Sequence, residues 1–200
     1  MSHTLRIAVA DDEPDMCDYF EGTLPSLGHQ VVGVAKTGRE VIELCRTKLP
    51  DLVITDIKMP GTDGIDAAIE ITRARPIAII LLSAHHDAEL LARAEADHIM
   101  AYLIKPIKQA DLEAAIVIAM RRFAQFQELS KEAATLRQAL QDRKVIERAK
   151  GILMRRAGLD EESAFRRMQK LASAKNRKLV EIAQIMLISE EALTATDEPH

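Results

Sequence analysis

The chain predicts a doubly wound α/β unit, a five-stranded parallel sheet covered on both faces, followed by an all-helical segment. Three observations predict this. Short apolar runs alternate with amphipathic stretches through about the first hundred residues. From Asp111 onward the pattern becomes purely helical, and the charge balance of that second part turns strongly basic.

The apolar runs of strand length are Leu5–Ala10, Val31–Ala35, Leu52–Thr55, Ala78–Leu82 and Ala101–Ile104. The first, third and fourth are apolar almost throughout, as strands buried on both faces require. Helical stretches lie between them near 14–24, 38–48, 64–74 and 87–96, so right-handed crossovers join parallel strands. Pro25 is expected to stop or kink the first helix, because proline lacks the N–H that would continue it. In open sheets of this kind the site lies beyond the carboxyl ends of the strands.

Beyond Asp111 no Gly or Pro interrupts the chain until Gly151. Leu112, Ile116, Ala119, Phe123, Phe126, Ala133 and Leu140 follow a four-three spacing, but Ser130 and Arg137 occupy two seam positions. A coiled coil and a simple extension of the last helix of the first unit both fit that pattern. Three short amphipathic helices are expected near 142–156, 160–174 and 178–187, with Gly158 as a stop and Asp160 opening the next helix. The expected division is 1–122, a helical linker over 123–140, a second domain over 141–193, and a loose tail over 194–200.

Composition sets the bounds. A length of 200 residues fits one ordinary domain and a smaller second one. With 48% hydrophobic and 29% charged residues the chain can bury a real core, which excludes wholesale disorder. Only 3% are aromatic and Trp is absent, so Ala, Leu, Ile, Val and Met must do the packing. Cys17 and Cys45 are too few for a disulfide framework, and each sits in an apolar helical pattern as a small hydrophobe. No apolar stretch approaches the roughly 20 residues of a membrane span, and Met1–Arg6 leads into a strand without a signal core. The expected location is cytoplasmic, with no membrane partner.

The strand ends carry the chemistry. Asp11 and Asp12 end the first, Asp56 the third, Ser83 the fourth, and Lys105 followed by Pro106 the fifth, so these side chains converge on one edge of the sheet. Carboxylates crowded together repel, and a divalent cation offsets this. Oxygen ligands alone favour Mg²⁺ over zinc. A carboxylate beside such a cation can attack phosphorus to give an acyl phosphate. In that scheme Asp56 is the nucleophile, Asp12 and Asp56 hold the cation, Lys105 pairs with the attached phosphoryl group and Ser83 donates to it. The alternative, in which each acid merely caps the helix that follows, does not account for all the strand ends together.

Taken as a set, Ala10-Asp11-Asp12-Glu13, the run from Asp51 through Asp56 to Gly64, Leu82-Ser83-Ala84 and Tyr102-Leu103-Ile104-Lys105-Pro106 make residues 5–122 resemble a two-component receiver domain, flavodoxin-like in fold. The resemblance implies phosphorylation of Asp56 by a partner sensor histidine kinase. It further implies Mg²⁺ held by Asp11, Asp12, Asp56 and the backbone carbonyl of Lys58, a switch through Ser83 and Tyr102, and a cis peptide at Lys105-Pro106. No catalytic position of the pattern is missing. Pro25 is the one departure, and it bears on kinase docking and not on chemistry. His85 and His86 read as loop residues that tune access to the site.

From Arg143 to Lys178 twelve basic side chains face four acidic ones, a net of +8 in a chain whose total is -4. Such a segment favours a polyanion partner through phosphate contacts and counterion release. The stretches 145–154, including Ala149-Lys150-Gly151-Ile152-Leu153-Met154, then 162–169 and 175–183, resemble the ANTAR domain of antiterminator regulators over about residues 136–190. That implies a three-helix RNA-binding module which, once the receiver is phosphorylated, forms a homodimer and holds paired hairpins of a nascent transcript so that a terminator cannot form. Ile146, Leu153, Ala164, Phe165, Met168, Leu171, Leu179, Ile182 and Ile185 read as its core. Arg148, Lys150, Arg155, Arg167, Lys175, Arg177 and Lys178 read as phosphate-facing. Phe165 is the only aromatic residue after Phe126, so recognition must rest on shape, phosphate pairing and Arg stacking rather than on an aromatic platform. A DNA-binding regulator and a protein-binding adaptor are the competing readings. No long recognition helix with base-reading side chains supports the first, and the basic segment argues against the second. No catalytic arrangement appears beyond Asp111, so an enzymatic output is not expected.

Overall fold

The computed structural model describes residues 4–84 and 99–194. The chain divides into two compact units, Met1–Glu128 and Leu129–His200.

The first unit is built on five parallel strands, β1 (Arg6–Ala10), β2 (Gln30–Ala35), β3 (Leu52–Asp56), β4 (Ala78–Ser83) and β5 (Ile99–Ile104), in the order β2-β1-β3-β4-β5. Each apolar run of the sequence becomes a strand, within a residue or two of its expected ends. The order reverses direction after β2, so the helices must wind onto opposite faces. Ile7, Val9, Leu52, Ile54, Ile80 and Leu82 point to one face with Phe20, Leu24, Leu112 and Ile116 packed on it. Ala8, Val53, Ile79 and Leu81 point to the other, under Val41, Cys45, Ile65 and Ile71. Successive side chains of a strand alternate between faces, which is why neighbours in sequence serve two different cores. Each such Leu or Ile contributes roughly 1.5–3 kcal/mol by leaving water.

The helices start where local chemistry allows. In α1 (Pro14–Ser26) Pro14 opens the first turn, where its missing N–H costs nothing. Pro25 lies in the last turn and the helix ends one residue beyond it, closed by Gly28 at φ +83, whose N–H donates to Pro25 O at 3.0 Å. In α2 (Gly38–Lys48) the Thr37 hydroxyl accepts from Glu40 N at 3.2 Å, and the Glu40 carboxylate accepts from Lys36 N at 2.7 Å. Thr37→Ala is expected to cost about 1 kcal/mol, read as a lower urea midpoint at unchanged slope. Asp63 caps α3 (Gly64–Ala74), accepting from Asp66 N at 2.8 Å. The helix expected over 87–96, with His85 and His86, lies outside the described residues.

The next described helix, α4 (Gln109–Ala157), is continuous for 49 residues. The separate helix expected over 142–156 is therefore absent: that segment is the end of α4. A single glycine, Gly151, costs a helix interior only about 1 kcal/mol, too little to break it. Gly158, at φ +62, supplies the left-handed residue that does end it. Then follow α5 (Glu161–Lys175), capped by Asp160 accepting from Ser163 N at 2.7 Å, and α6 (Leu179–Thr194), which is longer than the expected 178–187.

The second unit packs Ala149, Met168 and Ala183 together, with Val145, Ile146, Leu153, Leu179, Met186 and Leu187 around them. Ala164 and Ile182 are buried as expected, and Phe165 is half-buried. Leu171 and Ile185 correct the expected core, being 42% and 46% exposed. The buried stripe of α5 is Ala164, Met168 and Ala172. Among the described residues no helix is long and apolar enough to cross a membrane.

Candidate functional site

Strand register brings the chemistry together. Ala10 lies opposite Thr55, Asp56 opposite Leu82 and Ser83 opposite Ile104, so the carboxyl ends of β1, β3, β4 and β5 finish side by side. The ligand oxygens of Asp11, Asp12 and Asp56 lie within 4.8 Å of one another.

Asp11 and Asp56 each accept from the backbone that follows their strand. Asp11 is fully buried; its N–H donates to Ala35 O at 3.0 Å and its Oδ1 accepts from Glu13 N at 3.0 Å. Asp56 is buried, and its Oδ1 accepts from Ile57 N at 2.8 Å. Asp12 is exposed at the mouth. Lys105 reaches across the sheet from the end of β5: its Nζ lies 2.9 Å from Asp11 Oδ2, 2.9 Å from Glu13 Oε1 and 3.3 Å from Asp56 Oδ2. The contact with Asp11 pairs the ammonium with a fully buried carboxylate. Three carboxylates against one ammonium leave negative charge in excess, and a divalent cation among them offsets it. The donor set is all oxygen, which suits a hard divalent ion.

Electrostatics follow from this crowding. Burial pushes the Asp56 carboxyl up, the Lys105 ammonium pulls it down, and the Asp11 carboxylate adds to the rise; the net shift is upward. Burial draws Lys105 down, but the carboxylates of Glu13, Asp11 and Asp56 outweigh it and hold the ammonium above the ordinary lysine range. Lys105 is therefore charged under all ordinary conditions.

Of the residues picked from sequence, Asp11, Asp12, Asp56 and Lys105 come together as expected. Ser83 ends β4 half-buried, and its carbonyl accepts from Lys105 N at 2.9 Å. Tyr102 sits on the edge strand opposite Leu81 and is 37% exposed. Lys58 is exposed two residues beyond Asp56, and Lys105-Pro106 is cis. Three contributors went unassigned in the sequence. Glu13 shares the Lys105 ammonium; its place beside Asp12 was the available signal. Cys17 is buried, as its apolar context predicts, but its thiol also donates to Asp11 O at 3.2 Å. Gly64 packs so closely that a β-carbon there would stand 1.9 Å from Asp56 O.

In the second unit Arg148 and Arg155 on α4, Arg167 and Lys175 on α5, and Arg177 and Lys178 in the following turn are exposed. Lys150 departs from this set. It is only 7% exposed, and its Nζ pairs with Glu147 at 2.6 Å and Glu161 at 2.7 Å. Glu147 and Glu161 hold its ammonium above the ordinary range, and through them Lys150 ties α4 to α5. One turn along α4 and one contact across to α5 decide this; the charge of the residue alone could not.

A doubly wound sheet with acids and an ammonium gathered at its strand tips is the arrangement of a receiver, and comparison with known proteins agrees. Residues 7–117 match the response regulator receiver domain and residues 134–187 the ANTAR domain, so the chain belongs to the response regulators. It is similar to the transcriptional regulatory protein PdtaR of Mycobacterium tuberculosis, with 40% identity over 91% of this chain and 89% of that one. Among solved structures it resembles the response regulator PhyR from Brucella abortus, with 32% identity, a TM-score of 0.55 and coverage of 66% of this chain and 52% of that one. It also resembles the receiver domain of the response regulator NarL from Mycobacterium tuberculosis, with 27% identity, a TM-score of 0.56 and coverage of 60% and 98%.

Proposed function

We propose that this response regulator is an RNA-binding transcription antiterminator switched by phosphorylation of Asp56 from a sensor histidine kinase. The observation that carries the first half is the convergence of Asp11, Asp12 and Asp56, whose ligand oxygens lie within 4.8 Å of one another, beside Lys105. Asp11, Asp12, Asp56 and the Lys58 carbonyl hold Mg²⁺, which supplies charge neutralisation for the incoming phosphoryl oxygens. An Asp56 oxygen bonds to phosphorus as the phosphorus–nitrogen bond of the donor histidine breaks, and Lys105 pairs with the attached group. Ser83 then donates to the phosphoryl oxygens and Tyr102 moves inward, biasing a pre-existing equilibrium of the receiver. Self-phosphorylation and its reversal are the only reactions in this reading; the chain is otherwise not an enzyme.

The output module, proposed over 141–193 after a receiver over 1–122 and a linker over 123–140, forms a homodimer and grips paired hairpins. The exposed cations Arg148, Arg155, Arg167, Lys175, Arg177 and Lys178 support this, as does the match to the ANTAR domain. Titration of labelled hairpin RNA and duplex DNA at two salt concentrations, with and without acetyl phosphate and Mg²⁺, tests it. The hairpin is expected to bind more tightly than the duplex, more tightly still after phosphorylation, and with affinity that falls steeply with salt. Equal or tighter duplex binding would replace RNA by DNA in this reading, and no binding to either would leave a protein adaptor.

A further inference from the structure

Glu13 stands at the N-cap of α1, yet its carboxylate makes no capping hydrogen bond there. It turns instead to Lys105, 92 residues away, with Oε1 2.9 Å from Nζ. The backbone around it is fixed: its N–H donates to Asp11 Oδ1 at 3.0 Å, and its carbonyl accepts from Met16 N at 3.1 Å and Cys17 N at 3.2 Å. The carboxylate is thus tethered at the rim of the acid cluster, outside the group of Asp11, Asp12 and Asp56 oxygens that lie within 4.8 Å of one another. Lys105 touches two members of that group, Asp11 Oδ2 at 2.9 Å and Asp56 Oδ2 at 3.3 Å. A divalent cation and the ammonium would therefore draw on the same oxygens, and two positive charges so close repel. Asp11 and Asp56 cannot withdraw, being buried and bonded to the backbone that follows their strands. Lys105 can, on its flexible stem.

We propose that Glu13 is a positioning residue for the cation site: the seat on which the Lys105 ammonium rests when Asp11 and Asp56 turn to a divalent cation. Without that seat, an ammonium whose side chain is only 13% exposed would lose both aspartates and gain no carboxylate in return. Loading would then carry the cost of a buried, unpaired charge. With the seat, the ammonium keeps one charge-assisted hydrogen bond throughout and stays beside Asp56, ready for the phosphoryl group that the reading above places there. Glu13 therefore raises the affinity for the cation through Lys105 and not by binding the cation itself. This role rests on the reading above only for the presence of the cation; it needs neither phosphoryl transfer nor RNA.

Calorimetric titration of the full chain with Mg²⁺ and no phosphodonor, in about 0.15 M salt to screen exposed charges, tests this in four proteins: the unmodified chain, Glu13→Gln, Lys105→Met and the two combined. Glu13→Gln is expected to weaken Mg²⁺ binding roughly three- to tenfold. Lys105→Met removes the competing ammonium and should bind Mg²⁺ more tightly than the unmodified chain. In that background Glu13→Gln should change the affinity by less than about twofold, because the carboxylate has no ammonium left to hold. An equal loss in both backgrounds would mean that Glu13 acts on the cation by its own charge, and no loss in the unmodified background would mean that it does not act at all; either result overturns the assignment. Circular dichroism checks folding, and Lys105→Gln takes the place of Lys105→Met if that variant does not fold. Label from acetyl phosphate at saturating Mg²⁺, measured on the same samples, separates the two ideas. Normal labelling of the unmodified chain without coupling between Glu13 and Lys105 removes the seat alone, whereas coupling without labelling removes the phosphorylation switch and leaves the seat. An unmodified chain that binds no Mg²⁺ at millimolar concentration removes both.

Discussion

Asp56→Asn is expected to abolish phosphoryl uptake from acetyl phosphate and Mg²⁺ altogether, because an amide oxygen in place of the carboxylate offers no comparable nucleophile. Residual label at another side chain would defeat the assignment of Asp56. The same variant is expected to melt higher than the unmodified protein when no metal is added. Burial raises the Asp56 carboxyl, so ionising it costs the folded state more than the unfolded one. That cost is absent at pH values below the unfolded pKa of about 4, grows as pH rises through the interval up to the raised folded value, and stays constant above it. The two proteins should therefore melt alike in acid and diverge toward neutrality, with Asp56→Asn the more stable. Millimolar Mg²⁺ should close the gap by stabilising the unmodified protein alone. Thermal melts across pH, with and without the ion, supply both readings.

Gly64→Ala is expected to destabilise the first unit by about 3 kcal/mol and to slow phosphoryl uptake at the same time. The added β-carbon would stand 1.9 Å from Asp56 O and 2.9 Å from Asp56 C, and both are backbone atoms of a fully buried strand. Neither neighbour can swing aside as a flexible side chain would. The start of α3 must move away from β3, or the peptide after Asp56 must tilt and carry the carboxylate with it. A loss of this size is a large share of the roughly 5–15 kcal/mol that holds a typical domain. Gly22 provides the contrast: it lies exposed within α1, and a β-carbon there meets nothing within 4 Å. Gly22→Ala should stabilise by about 0.5–1 kcal/mol, since alanine favours the helix and narrows the unfolded ensemble. Urea denaturation of the two variants should thus move in opposite directions, and a Gly64→Ala loss under about 1 kcal/mol would refute the close approach.

The sequence by itself determined the sheet, its two-sided burial, and the delivery of Asp11, Asp12, Asp56 and Lys105 to one edge. Each of these follows from local rules: a run of apolar residues of strand length, a helical period between runs, and the residue at which each run stops. Lys150 shows where such rules end. Its position on a basic helix face read as phosphate-facing, yet Glu161, eleven residues on and across a turn, takes its charge. The sharing of Lys105 between Asp56 and Glu13 spans 49 and 92 residues. The approach of Gly64 to Asp56 and the exposure of Leu171 and Ile185 likewise depend on which surface meets which. Periodicity along a chain records whether a face is apolar. Only packing in three dimensions decides what covers that face, and which of several equal charges a buried ammonium will answer.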